Sequence, residues 1–281
     1  MNIQLPSVNV WLPLNGEVTH IANCARVCYA SNTGNDDKLV NSLIENKHLS
    51  MFRHMGVYYI IPKGKMVSLP AKAGSYLDIR HFADETIIAT NRQFAMEYMS
   101  NYECYEIPYK QAVKDKRFIE AGFIRYTMCI KTGIDITREY NRKSPNAIAE
   151  QSTRYVDFVK KVGIVFKYCH WMNKLNLYKH CLVRLMCILD EWMYKVSRSK
   201  YGLNLKPQDA RWCLFLDTMS KVIYTYSVKD WEYIINLRLF DYTGTAHPDA
   251  KIVAEGIKRE LELQGYTIKN FKLDGHETNN V

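Results

Sequence analysis

The strongest regularity in this chain is a helical apolar stripe from about residue 172 to 200, where Leu175, Tyr178, Leu182, Leu185, Leu189, Trp192, Met193 and Val196 recur at steps of three and four. A stripe that long has to be covered, so the spacing predicts the longest helix of the fold, with this face in the core. Two shorter helical patterns open the chain. One spans 17–30 with Val18, Ile21, Ala22, Ala25 and Cys28, and the other spans 37–46 with Leu39, Val40, Leu43 and Ile44. The period then falls to two. Val57, Tyr59 and Ile61 alternate with Tyr58 and Ile60 in a strand ended by Pro62, and Ile124, Tyr126, Met128 and Ile130 alternate in a second strand.

Gly133 turns that second strand into a short helix carrying Arg138, Glu139, Arg142 and Lys143, which Pro145 limits because its ring disfavours helical geometry at the residue before it. Residues 63–122 hold a strand (ETIIAT), a helix (NRQFAMEYM) and a charged run (KQAVKDKRFIEAG), and read as an insertion. After Gly202 come LKPQDARWCLFL, a strand KVIYTYS, a helix VKDWEYIINLR and a final helix at about 248–264. The expectation is an α+β fold, an antiparallel sheet packed with helices, in one domain over 1–270 with a polar tail at 271–281.

With 47% hydrophobic and 24% charged residues among 281, the chain can bury a full core, which excludes disordered and collagen-like classes. The 38 Lys+Arg exceed the 29 Asp+Glu by nine, a balance that favours a polyanionic partner. The eight cysteines form no CxxC pair and read as reduced, packed thiols. His48 and His54 lie six apart without nearby carboxylates, so no metal is expected. No stretch approaches the roughly 20 apolar residues of a spanning helix, and the start lacks a signal-peptide pattern. We expect a cytoplasmic protein with no membrane partner. No RNP, KH or zinc-knuckle pattern points to nucleic acid.

The segment TREYNRKSPNAIAEQSTRYV, 137–156, concentrates the chemistry. Arg138 and Arg142 lie four apart, as do Glu139 and Lys143, and the chain soon returns with Ser152, Thr153 and Arg154. A hydroxyl beside backbone N–H groups and a guanidinium fork suits a phosphate monoester. The same residues equally describe a solvated helix face with ion pairs worth about 0.2–0.5 kcal/mol each.

EQSTRY, with Arg142-Lys143-Ser144 before it and seven residues between Ser144 and Ser152, resembles the signature of the flavin-dependent thymidylate synthases, an Arg-His-Arg triplet followed by a serine. ARVCY at 25–29, HLSMFRHMGVYYIIP at 48–62, and Arg211 and Arg238 near the end resemble further blocks of that family in the same order. The resemblance implies the family's fold with an inserted segment at 63–122, and a homotetramer whose sites are shared between subunits. It implies reductive methylation of dUMP to dTMP with FAD as cofactor and NADPH and methylenetetrahydrofolate as co-substrates.

Glu139, Tyr140, Asn141, Arg142, Glu150, Gln151, Ser152, Thr153, Arg154 and Arg211 would hold dUMP. His48, Ser50, Arg142, Lys143, Ser144, Glu150, Ser227, Lys229 and Tyr233 would contact FAD. Arg238 would be catalytic at the uracil edge, stabilising charge at N3 and O2 and so enriching C5. Lys143 and Ser144 depart from the triplet's His and Arg, Arg53 stands where many members have Glu, and Ser227 and Tyr233 replace asparagines. Each lost charged hydrogen bond is worth about 1.5–3 kcal/mol, which predicts weak flavin retention. Two other outcomes stay open: a relative that acts on dCMP or adds a hydroxymethyl group, and a nucleotide- or RNA-binding protein without catalysis.

Overall fold

Alternation of apolar residues builds the centre of the molecule as two nine-residue strands that pair antiparallel, with Val222 opposite Ile130, Tyr224 opposite Met128 and Tyr226 opposite Tyr126. The structure is a computed structural model and describes residues 2–31, 33–65, 76–143 and 147–272. In chain order the strands are β1 (Asn2–Gln4), β2 (Ser7–Trp11), β3 (Gly56–Pro62), β4 (Asp78–His81), β5 (Glu85–Asn91), β6 (Glu106–Ile107), β7 (Arg125–Gly133), β8 (Ile148–Glu150), β9 (Val165–Lys167) and β10 (Met219–Ser227). The helices are α1 (Glu17–Tyr29), α2 (Asp36–Glu45), α3 (Arg92–Tyr98), α4 (Tyr109–Ala112), α5 (Lys116–Glu120), α6 (Ile134–Tyr140), α7 (Leu177–Arg198), α8 (Pro207–Ala210), α9 (Val228–Arg238) and α10 (Pro248–Leu263). The fold is α+β, as expected.

The main sheet runs β2-β7-β10-β8, and all its pairs are antiparallel. Its two faces differ because side chains alternate along each strand. Tyr126, Met128, Ile130, Val222, Tyr224 and Tyr226 form the largest apolar cluster with Trp231 and Ile235 of α9 and Val253, Ile257 and Leu261 of α10. On the other face Cys129 and Ile223 meet Cys24 and Val27 of α1. A buried polar chain crosses that face: His54 Nδ1 lies 2.9 Å from Thr225 Oγ1, and His20 Nε2 lies 3.0 Å from Thr127 Oγ1. Burial holds both imidazoles neutral, lowering His54 to about 3 and His20 to about 4.

Residues of the 63–122 segment supply β4, β5 and β6, which join β3 in a second sheet of order β4-β5-β3-β6. Phe94, Met99 and Tyr102 cover it against Val57, Tyr59 and Ile61. The short strands β1 and β9 pair in parallel.

Two expectations are corrected. Most of the α7 stripe faces outward: Tyr178, Leu182, Leu185, Leu189 and Trp192 are exposed, Leu175, Met193 and Val196 are half-buried with Met193 against the inner cluster, and Cys187, Asp190, Tyr194 and Ser197 are the buried residues of the helix. α6 also ends at Tyr140, so Arg142 and Lys143 follow the helix instead of extending its face. Pro145 and the tail from 273 lie outside the described residues.

Candidate functional site

The strand β8 is short, but its register on β10 sets the edge of a cleft. Glu150 pairs with Val222, Gln151 N–H donates to Lys221 O at 2.8 Å, and Ser152 N–H donates to Cys28 O at 3.0 Å. The chain then turns sharply because Ser152 Oγ accepts the backbone N–H groups of Arg154 at 3.1 Å and Tyr155 at 3.3 Å. A second wall is α6, launched directly from the end of β7, which contributes Ile134, Thr137 and Arg138, with Asn141 just beyond it. The segment from Arg211 to Leu216 forms the third side of an open cleft of about 640 Å³.

Three guanidinium-bearing residues, Arg138, Arg154 and Arg211, line this space with the hydroxyl residues Ser152 and Thr153. Arg211 Nη1 donates to Thr153 Oγ1 at 3.1 Å, tying two walls 58 residues apart. The Arg154 guanidinium lies over the Tyr155 ring, 5.3 Å from its centroid. Burial pushes the Glu150 carboxyl above its ordinary range, while hydrogen bonds from Thr137 and Ser220, the Arg138 charge and Asn141 work against the rise. The cleft therefore offers a cationic, hydroxyl-bearing rim and one partly desolvated carboxyl at its floor.

Asn141, Glu150, Gln151, Ser152, Thr153, Arg154 and Arg211 meet in this cleft. Glu139, Tyr140, Arg142 and Arg238 do not line it. Tyr140 is buried, its hydroxyl donating to Ala250 O at 2.7 Å. Glu139 instead joins the two arginines: its carboxylate lies 3.1 Å from Arg142 Nη2 and 3.4 Å from Arg238 Nη1, and its carbonyl accepts from Arg238 Nη2 at 2.8 Å.

A separate group surrounds the start of α9. Lys143 Nζ pairs with Asp230 at 2.9 Å and sits 5.5 Å from the Tyr233 ring centroid, and the Ser227 hydroxyl bonds Asp230 at 2.8 Å. Burial raises the Asp230 carboxyl, but Lys143 and Ser227 outweigh it and hold the group below its usual range. Lys229 pairs with Asp78 at 2.6 Å. His48 and Ser50 lie at the start of the 3-10 turn Leu49–His54, which packs against α1, α3, β8 and β10. Ser144 lies outside the described residues.

Sequence reasoning did not assign a role to Arg138, Trp212 or Phe215, all of which line the cleft. Arg138 had a signal, its place in the 137–156 segment. Trp212 and Phe215 had none, because only the fold carries them to β8.

No protein-family profile and no curated protein matches the chain in sequence. Among solved structures it is similar to the UMP/dUMP methylase PolB from Streptomyces cacaoi bound with 5-Br dUMP, at 14% identity and a TM-score of 0.47, covering 97% of this chain and 97% of that one. The same methylase bound with 5-Br UMP matches at 14% identity and 0.48, covering 98% and 97%. Thymidylate Synthase X from Helicobacter pylori, with FAD and dUMP, matches at 13% identity and 0.40, covering 92% and 95%.

Proposed function

We propose that the protein is a nucleotide-modifying enzyme of the flavin-dependent thymidylate synthase type, converting dUMP to dTMP by reductive methylation. The observation that carries the reading is the meeting of residues 150–154 with Arg211 in one cationic cleft, since these are the positions at which the sequence resembles that family's nucleotide-binding blocks. Arg154 and Arg211 would bind the 5′-phosphate, whose several acceptor oxygens match guanidinium forks. Ser152 fixes the turn that presents Arg154, and Thr153 orients Arg211. Glu150, Gln151 and Asn141 supply polar atoms for sugar and base edges. The exposed apolar face of α7 is consistent with self-association; the resemblance implies a homotetramer in which a partner subunit completes the site.

Arg238 is proposed for the uracil edge on the resemblance alone. Its binding by Glu139 presents it as a fixed cation. A catalytic Arg238 predicts that Arg238→Ala lowers turnover more than nucleotide affinity.

The residues assigned to FAD on the resemblance are spread over the turn at 48–50, the end of α6, β8 and the start of α9. Lys143 and Ser227 are engaged by Asp230, and Lys229 by Asp78. Bound flavin would supply hydride transfer, with NADPH and methylenetetrahydrofolate as co-substrates.

The test is growth of a thymidylate-synthase-deficient bacterium without thymidine when this chain is expressed, together with dUMP titration of the purified protein. Arg211→Ala and Arg154→Ala should each weaken dUMP by about 1.5–3 kcal/mol; unchanged affinity in both would remove the cleft from the reading. The capture of Lys143 by Asp230 favours a second reading, a nucleotide- or RNA-binding protein without catalysis. That protein would be colourless, fail to rescue growth, and bind nucleic acid with salt-dependent affinity.

A further inference from the structure

Behind the cleft, β9 buries a lysine. Lys167 is 1% exposed, and its ammonium lies 2.5 Å from Asp135, 2.8 Å from Asp249 and 3.3 Å from Asp217. Gly133 permits this packing, because a Cβ there would strike the Asp135 carboxylate and come within 3.3 Å of the Lys167 stem. Three carboxylates around one ammonium leave a formal charge of −2 if the neighbouring imidazoles are neutral. Those imidazoles belong to His170 and His247. His170 Nδ1 lies 3.1 Å from Asp249 Oδ1, His247 Nδ1 accepts the Asp249 N–H at 3.2 Å, and the two rings stand edge to face with centroids 5.5 Å apart.

We propose that His170, His247 and Asp249 form a binding site for a divalent transition ion of the zinc class. One ligand atom from each of the three lies within 4.8 Å of the others. Two imidazoles and a carboxylate are a zinc-type donor set, and with three protein ligands a position is left for water. A tetrahedral site with bonds of about 2.0–2.1 Å has ligand atoms roughly 3.3 Å apart. The His170–Asp249 separation of 3.1 Å already meets that edge, and the exposed His247 side chain closes the rest by rotation.

Proton and charge balance agree with the assignment. The ring proton of His170 moves from Nδ1 to Nε2, and the metal takes its place between Nδ1 and Asp249 Oδ1. Lys167 holds the other oxygen, Oδ2, at 2.8 Å, the outer-shell role that orients a ligating carboxylate. A divalent ion brings the cluster to neutrality. The N-terminus of α10 opposes a cation with about half a charge, which the cluster exceeds fourfold. The ion would clip the segment after β9 to the start of α10, two regions 77 residues apart, through His170 and His247.

The experiment uses untagged, chelator-treated protein and zinc alone in calorimetry, with cobalt as a spectroscopic probe. Expected are one zinc per chain, an intense visible cobalt spectrum of low coordination number, and a melting temperature raised by zinc. His170→Ala and His247→Ala should each weaken zinc at least about tenfold and remove the cobalt band, while His180→Ala on α7 leaves both unchanged. His247 is exposed, so its variant retains the fold, and circular dichroism checks this. Absence of saturable zinc binding, or one-to-one binding that survives both substitutions, overturns the proposal. The readout is metal and not turnover, so it stands apart from the fate of the dUMP reading.

Discussion

Asp190 is fully buried on the inward side of α7, and burial lifts its carboxyl from the ordinary 3.8 to about 6, against a backbone hydrogen bond from Phe215. Well below pH 3.8 the group is neutral in folded and unfolded chains and costs nothing. As pH rises from about 4 through 6, the unfolded chain releases its proton first, so this residue makes stability fall. Asp190→Asn should therefore raise stability at pH 7.5 by roughly 1–3 kcal/mol, with the gain vanishing below pH 4, as read by urea unfolding at both pH values. His20 and His54 slope the other way. Their folded values of about 4 and 3 lie below the usual 6.5, so their contribution is full above pH 6.5 and is lost as pH falls toward 4 and 3. A pH scan of the parent chain sums the opposing slopes, and the variant pair isolates Asp190.

At the scale of elements, α7 is amphipathic in reverse. Its period is what the sequence predicts, yet the apolar side meets solvent and the inner side carries Asp190 and Ser197. Covering a large apolar side chain is worth about 1.5–3 kcal/mol, so a face with Leu182, Leu185, Leu189 and Trp192 exposed favours association with another chain. Leu185→Glu with Leu189→Glu should shift the sedimentation mass to that of a monomer while circular dichroism keeps the helix. An unchanged mass would take α7 out of the contact. The early end of α6 has an equally physical cause. The Tyr224 hydroxyl on β10 lies 3.0 Å from the Thr137 carbonyl and 2.7 Å from Asn141 Oδ1, drawing the helix end onto the sheet. Periodicity in the sequence does not register a partner 83 residues away.

For the molecule as a whole, the division of the candidate residues between the cationic cleft and the group at the start of α9 bears on colour. Lys143 and Lys229 pair with Asp230 and Asp78, so the flavin proposed above would have to displace those carboxylates, and purified protein should lose yellow absorbance on prolonged dialysis. Retention of one flavin per chain would contradict this. No helix among the described residues is long and apolar enough to cross a membrane. Strands β3, β7 and β10 and helices α1, α2, α9 and α10 were legible to within a few residues, because each is specified by its own run of alternating or helical apolar positions. Residues 150–154 stood out for a different reason, their polar side chains and their resemblance to a family motif, and the structure gathers them in one cleft with Arg211. What only the tertiary structure decided is which partners they meet: that Arg211 reaches Thr153, that Glu139 holds Arg142 and Arg238, that Asp230 captures Lys143, and that the α7 stripe turns outward. A sequence states the period of an apolar face, but which surface covers it, and which charge answers which, depends on contacts between residues far apart in the chain.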